Sequence, residues 1–130
     1  MKLYGNAAEM YRNIAANSLT YKEKMEAYTN ECESCILSGD FLGADKALKR
    51  AMDEANLREK EGIKIHIINF YKKLAEDCEK QMKRSQASKI YEKLLKMDIP
   101  ETEKDALRAK ITGIQDKIGK IKDPRYLRGL

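Results

Sequence analysis

Apolar side chains recur at intervals of three and four residues along nearly the whole chain. That is the period of one buried face of an α-helix, not the two-residue alternation of a half-buried strand. The cleanest run is Leu107, Ile111, Ile114, Ile118 and Ile121, spaced by four, three, four and three. A chain patterned this way can bury its apolar surface only by packing helices face to face, so the expected fold class is all-α. Composition agrees: 36% of residues are charged, and there are two prolines and no tryptophan among 130 residues.

Six helices are expected. The first spans about 3–17, with Tyr4, Ala7, Ala8, Tyr11, Ile14 and Ala15 on its stripe. Thr20-Tyr21-Lys22-Glu23 fits a capping box opening the second, whose stripe is Tyr21, Met25, Tyr28, Cys32, Cys35 and Ile36. Ser38-Gly39-Asp40 closes it, since glycine accepts the left-handed conformation after a helix and aspartate can cap the next one. The third, about 40–56, carries Phe41, Ala44, Leu48, Ala51 and Ala55, with a break expected near Asn56-Leu57-Arg58-Glu59. The fourth, about 60–83, carries Ile63, Ile67, Phe70, Tyr71, Leu74, Cys78 and Met82. Ser85 is expected to cap the fifth, with Ala87, Ile90, Tyr91, Leu94 and Leu95 buried, and Asp98-Ile99-Pro100 ends it. Asp123-Pro124 stops the sixth.

Charge is unevenly placed. Residues 1–105 hold 19 basic and 19 acidic side chains, while the last 25 hold seven basic (Arg108, Lys110, Lys117, Lys120, Lys122, Arg125 and Arg128) against Asp116 and Asp123. The net +5 is thus confined to the final helix and tail, unlike a domain that coats nucleic acid with one folded basic face. No window reaches the roughly 18 apolar residues of a membrane span. The start, Met1-Lys2-Leu3-Tyr4-Gly5-Asn6, lacks the apolar core of a secretory signal. Three cysteines within helical patterns then suggest reduced thiols and a cytoplasmic location.

Sliding the chain by 43 residues superposes Tyr28 on Tyr71, Glu33 on Glu76, Cys35 on Cys78, Ala44 on Ala87 and Lys46 on Lys89. Tyr71-Leu74-Ala75-Cys78 followed by Ala87-Tyr91-Leu94 and Pro100 resembles the tetratricopeptide repeat family. The order recurs in Tyr28, Cys32, Cys35, Gly39, Phe41, Ala44, Leu48 and Ala51, except that Glu31 occupies a position that should be apolar. The resemblance covers about 25–101, and the period of 43 departs from the family's 34. It implies one helical-hairpin domain over 1–122, as a right-handed array or a compact bundle. Its repeat-like units would be about 20–58 and 60–101, with a capping helix over 101–122 and a basic tail over 123–130.

The residues that invite chemistry assemble no catalytic site. Cys32-Glu33-Ser34-Cys35 has a metal or thiol-exchange spacing, but only Cys78 and the lone His66 remain as further ligands, and those two point about 120° apart on one helix. Cysteines on an apolar stripe are expected to pack in the core. His66, between Ile65 and Ile67, reads as a half-buried packing residue, and Glu31/Glu33 and Glu76/Asp77 as solvated helix faces. Gly39 and Gly43 make no phosphate loop. No enzyme activity, cofactor or metal is expected.

In tetratricopeptide-like folds the first helices of successive hairpins line a groove for a partner's peptide or helix. Carried over, the groove residues are Glu26, Thr29, Asn30 and Glu33, then Asn69, Lys72, Lys73 and Glu76. The expected function is a protein-protein interaction or scaffold module. One alternative is a nucleic-acid-binding accessory protein using Lys117, Lys120, Lys122, Arg125 and Arg128, with Tyr126 available to stack. Another is a homodimer pairing helix 107–121 with its twin.

Overall fold

The computed structural model describes residues 2–17 and 20–122, with the side chains of residues 2, 3, 17 and 120–122 excepted. The fold is all-α. Among the described residues six helices follow in order: α1 (Lys2–Asn17), α2 (Tyr21–Ser38), α3 (Phe41–Glu54), α4 (Leu57–Lys80), α5 (Arg84–Leu95) and α6 (Glu101–Lys122). No strand occurs among the described residues. The chain divides into two compact units, Met1–Ile67 and Ile68–Leu130, and the division falls inside α4.

Side-chain caps set several of these boundaries. Thr20 accepts the amide of Glu23 at 3.2 Å, opening α2. Asp40 does the same for Gly43 at 2.9 Å, opening α3. Asn56 and Glu59 form a complete capping box: the Glu59 amide donates to Asn56 Oδ1 at 2.9 Å and the Asn56 amide to Glu59 Oε1 at 3.0 Å. This starts α4 at Leu57, three residues earlier than the apolar pattern indicates. Ser85 does not cap α5. It lies inside the first turn, and Lys83 takes the cap position with no side-chain bond.

The link between α4 and α5 is instead set by the backbone, and it copies the link between α2 and α3. At the first, the amides of Gly39 and Asp40 donate to the carbonyls of Ile36 (3.0 Å) and Cys35 (2.9 Å). At the second, the amides of Met82 and Lys83 donate to Glu79 (3.0 Å) and Cys78 (2.8 Å). Each is a Schellman closure, satisfying carbonyls that a helix end leaves orphaned. Every partner in the second is offset by 43 residues from the first. Both closures need a left-handed residue, supplied by Gly39 at φ 82° and by Met82 at φ 62°.

In the first unit α2 packs against both α1 and α3. The interior is built from small side chains: Ala8 and Ala15 of α1, Cys32 and Cys35 of α2, and Ala44, Ala47 and Ala51 of α3 are all buried. Such residues let helix backbones approach closely. Tyr4 and Ile14 are exposed (40% and 47%), so the buried face of α1 is narrower than its apolar stripe. Tyr21 is likewise exposed, and Tyr28 is only half-buried.

Among these small residues sits a carboxylate. Glu31 is fully buried, which corrects its reading as part of a solvated face. Its Oε2 accepts from Nε of Arg12 on α1 and its Oε1 from Nη1 of Arg50 on α3, both at 3.1 Å. Each oxygen therefore meets one guanidinium, and the two arginines come from the helices on either side of α2. This contact holds the Arg12 guanidinium above its usual pKa.

The second unit has a bulkier interior, with Tyr71, Tyr91, Ile90 and Leu94 buried. Burying one such side chain contributes about 1.5–3 kcal/mol. Here α5 packs on α6, and Lys110 of α6 donates to the Tyr91 hydroxyl at 3.5 Å while lying 5.3 Å from its ring centroid. Tyr71 is buried where Tyr28, 43 residues earlier, is only half-buried, so the two rings occupy different environments.

A methionine held at positive φ carries a strain that glycine lacks. Met82 is also 65% exposed, so little packing is lost on removing its side chain. Met82→Gly should therefore raise the stability measured by urea unfolding by about 1 kcal/mol. No gain would show that the backbone at this link is not left-handed in solution.

Candidate functional site

One face of α2 presents Lys22, Met25, Glu26, Thr29, Asn30 and Glu33, separated by three, one, three, one and three positions. Together with Ile63 and His66 of α4, they line a groove of about 370 Å³ within the Met1–Ile67 unit. Met25 and Ile63 give it apolar material, while Lys22 and Glu26 stand exposed at its edge. The Thr29 hydroxyl donates to the Met25 carbonyl at 2.8 Å, so its proton is spent on the helix and its oxygen is left to accept.

His66 and Glu33 close on each other across the groove through Nε2 and Oε1. The imidazole is more than half exposed, not a half-buried packing group. Its acidic partner lies 33 residues away, so local spacing could not reveal it. With one imidazole nitrogen on a carboxylate of the neighbouring helix, the pair ties α2 to α4.

The anticipated residues divide between the units. Glu26, Thr29, Asn30 and Glu33 converge on the groove just described. Asn69, Lys72, Lys73 and Glu76 belong to the part of α4 in the second unit and are not among its lining residues. There Asn69, Lys73 and Glu76 are exposed, and Lys72 is half-buried, with its ammonium 3.3 Å from Glu103. Sequence reasoning missed Lys22, Met25, Ile63 and His66. The first two were legible as one further turn of the same α2 face, whereas the α4 pair depends on how the helices meet.

Of the alternative basic surface, Lys117 is exposed on α6. The side chains of Lys120 and Lys122, and Arg125, Arg128 and the whole tail 123–130, lie outside the described residues. In the seam proposed for self-association, Leu107, Ile111 and Ile114 are buried within the chain itself and Ile118 is half-buried. The Ile121 side chain lies outside the described residues.

Cys32, Cys35 and Cys78 are free thiols, all buried. Burial, reinforced by neighbouring Cys35 and Asp45, pushes Cys32 up to about 12, and burial also raises Cys35 and Cys78. These groups are protonated at neutral pH and behave as small apolar side chains. Among the described residues no three His, Cys, Asp or Glu side chains are placed to hold a metal ion.

No family model matches the chain, and no curated protein and no solved structure matches it. What the molecule does must therefore be argued from its own surfaces.

The Cys32 shift carries a sign. The folded state holds this proton up to about pH 12, while the unfolded chain releases it near the usual 9.0. Between those values the native state binds more protons, so stability should fall as pH rises through that window. A Cys32→Ala variant should lose part of that alkaline slope in urea unfolding at pH 8–11. An unchanged slope would show that Cys32 is not buried as described.

Proposed function

We propose that this chain is a protein-interaction module that receives a peptide or helix of a partner in the α2/α4 groove. The observation that carries this reading is the convergence of Glu26, Thr29, Asn30 and Glu33 on one groove with apolar Met25 and Ile63. An apolar floor with a few polar groups at its edge is the usual makeup of a recognition groove. An occupant with one apolar anchor beside a basic residue would suit it, since Met25 and Ile63 accept the anchor and Glu26 the charge.

The tetratricopeptide-like reading is supported by the recurrence of the hairpin closure at an offset of 43 residues. In that reading α2 and α4 are the first helices of successive hairpins, the helices that line the binding surface in such folds. The proposal is non-enzymatic, because the groove's titratable groups are Lys22 and Glu26 at its edge and the Glu33–His66 pair, with no cysteine or serine among its lining residues. A cytoplasmic location is proposed with it, supported by three free thiols. No helix among the described residues is long and apolar enough to cross a membrane.

Site-specific photo-crosslinking in cells distinguishes the readings. A benzoyl-phenylalanine at Met25 should form an adduct with one protein, and the added change Glu26→Lys should abolish it. The same probe at Lys117 should leave no protein or nucleic-acid adduct. An adduct indifferent to Glu26→Lys, or nucleic acid captured at Lys117 alone, would contradict the groove.

A further inference from the structure

Away from that groove, Arg12, Asp40, Leu42, Gly43, Lys46 and Arg50 line a separate cleft of about 310 Å³. Three of the six are cations. Two of those, Arg12 and Arg50, are the arginines that Glu31 holds from below, each through a single nitrogen at 3.1 Å. A guanidinium has five N–H donors in a rigid fork, so that contact leaves most of each fork for other acceptors. Both side chains remain open to solvent, at 53% and 41% exposure, while the carboxylate between them has none. Lys46, one turn before Arg50 on α3, is exposed.

A buried acid gripping two surface arginines has a consequence beyond packing. Free arginine side chains lose rotamer entropy when they close on a ligand. Here that loss is already met on folding, because leaving Glu31 would strand a buried charge. The two forks are thus fixed side by side, facing a cleft, before anything binds. Of the acidic groups nearby, Glu31 is fully engaged with the arginines and Asp40 with the Gly43 amide at 2.9 Å, while Glu9 acts on Arg12 from a greater distance. The cleft itself is left with three cations and one committed carboxylate.

We propose that this cleft is a binding site for a phosphate monoester dianion, with Arg12 and Arg50 as a preorganised clamp, Lys46 as the third cation and Glu31 as the positioning residue. Two adjacent forks and an ammonium can offer donors to three oxygens sharing two charges, which matches a terminal phosphoryl group. A monocarboxylate offers only two oxygens, one fewer than the three cationic groups can engage at once. The site is independent of the α2/α4 groove and of what that groove binds.

Two-dimensional NMR of the full chain tests this, using inorganic phosphate and O-phosphoserine as probes against sodium chloride of equal ionic strength. Both phosphates should shift the Gly43 amide and the Arg12 and Arg50 Nε–H signals along saturable curves. Acetate should bind at least about tenfold more weakly. Lys46→Ala, which alters only an exposed side chain, should weaken phosphate about tenfold, the loss expected for one charge-assisted contact. Glu31→Gln should weaken it as well if the acid positions the forks, with the folded spectrum of that variant checked first. Saturation by phosphate but not by O-phosphoserine would limit the site to the free ion and overturn the monoester assignment. Linear shifts, equal shifts in chloride, or an unchanged affinity in Lys46→Ala would overturn the site.

Discussion

A carboxylate removed from water must be answered by charge, and in the first unit that requirement organises three helices. Leaving Glu31 ionised and unpaired would cost several kcal/mol, so Arg12 and Arg50 must both arrive. They come from positions 19 residues before and 19 residues after it. Apolar packing alone would tolerate sliding, since Ala8, Ala15, Ala44, Ala47 and Ala51 are small and similar. The ion triad does not, because a shift of either outer helix by one turn, about 5.4 Å, takes its arginine out of reach. We read Glu31 as a device for register more than for net stability.

The link between α4 and α5 carries the same backbone closure without such a device. Moving 43 residues along replaces Glu31 by Leu74, Ala47 by Ile90, Leu48 by Tyr91 and Ala51 by Leu94. The backbone closure is copied bond for bond, yet the interior changes from small side chains around a charge to bulky ones around two tyrosines. The 43-residue correspondence is thus clearest in backbone hydrogen bonding, and Tyr28 and Tyr71 match in sequence but not in burial.

Much of the fold was legible because it rests on local rules. The Thr20, Asp40 and Asn56 caps, the Gly39 closure and the seam from Leu107 to Ile114 follow from residues within a few positions of one another. The misreadings share a cause. The sequence neighbours of His66 and Glu31 do not reveal their partners, which lie 33 and 19 residues away and meet them only through tertiary packing. Ser85 failed as a cap because the Schellman bonds to Met82 and Lys83 had already fixed where α5 begins. A signal for Glu31 did exist: an acid on an otherwise apolar stripe is anomalous, and anomalies of that kind are where partners should be sought. Of the groove, the α2 wall was readable as a face, but the α4 wall was not, since periodicity does not say which turn of a long helix meets its neighbour.

The ion triad sets α2 against α1 and α3 and also holds two arginines that line a cleft. The most direct test compares urea unfolding of the wild-type chain, the Arg12→Met/Arg50→Met variant, and the triple variant that adds Glu31→Leu. If a buried charge imposes the register, removing both arginines should cost about 3–5 kcal/mol, and adding Glu31→Leu should restore most of that loss. A double variant as stable as wild type, or a triple variant no better than the double, would contradict the account.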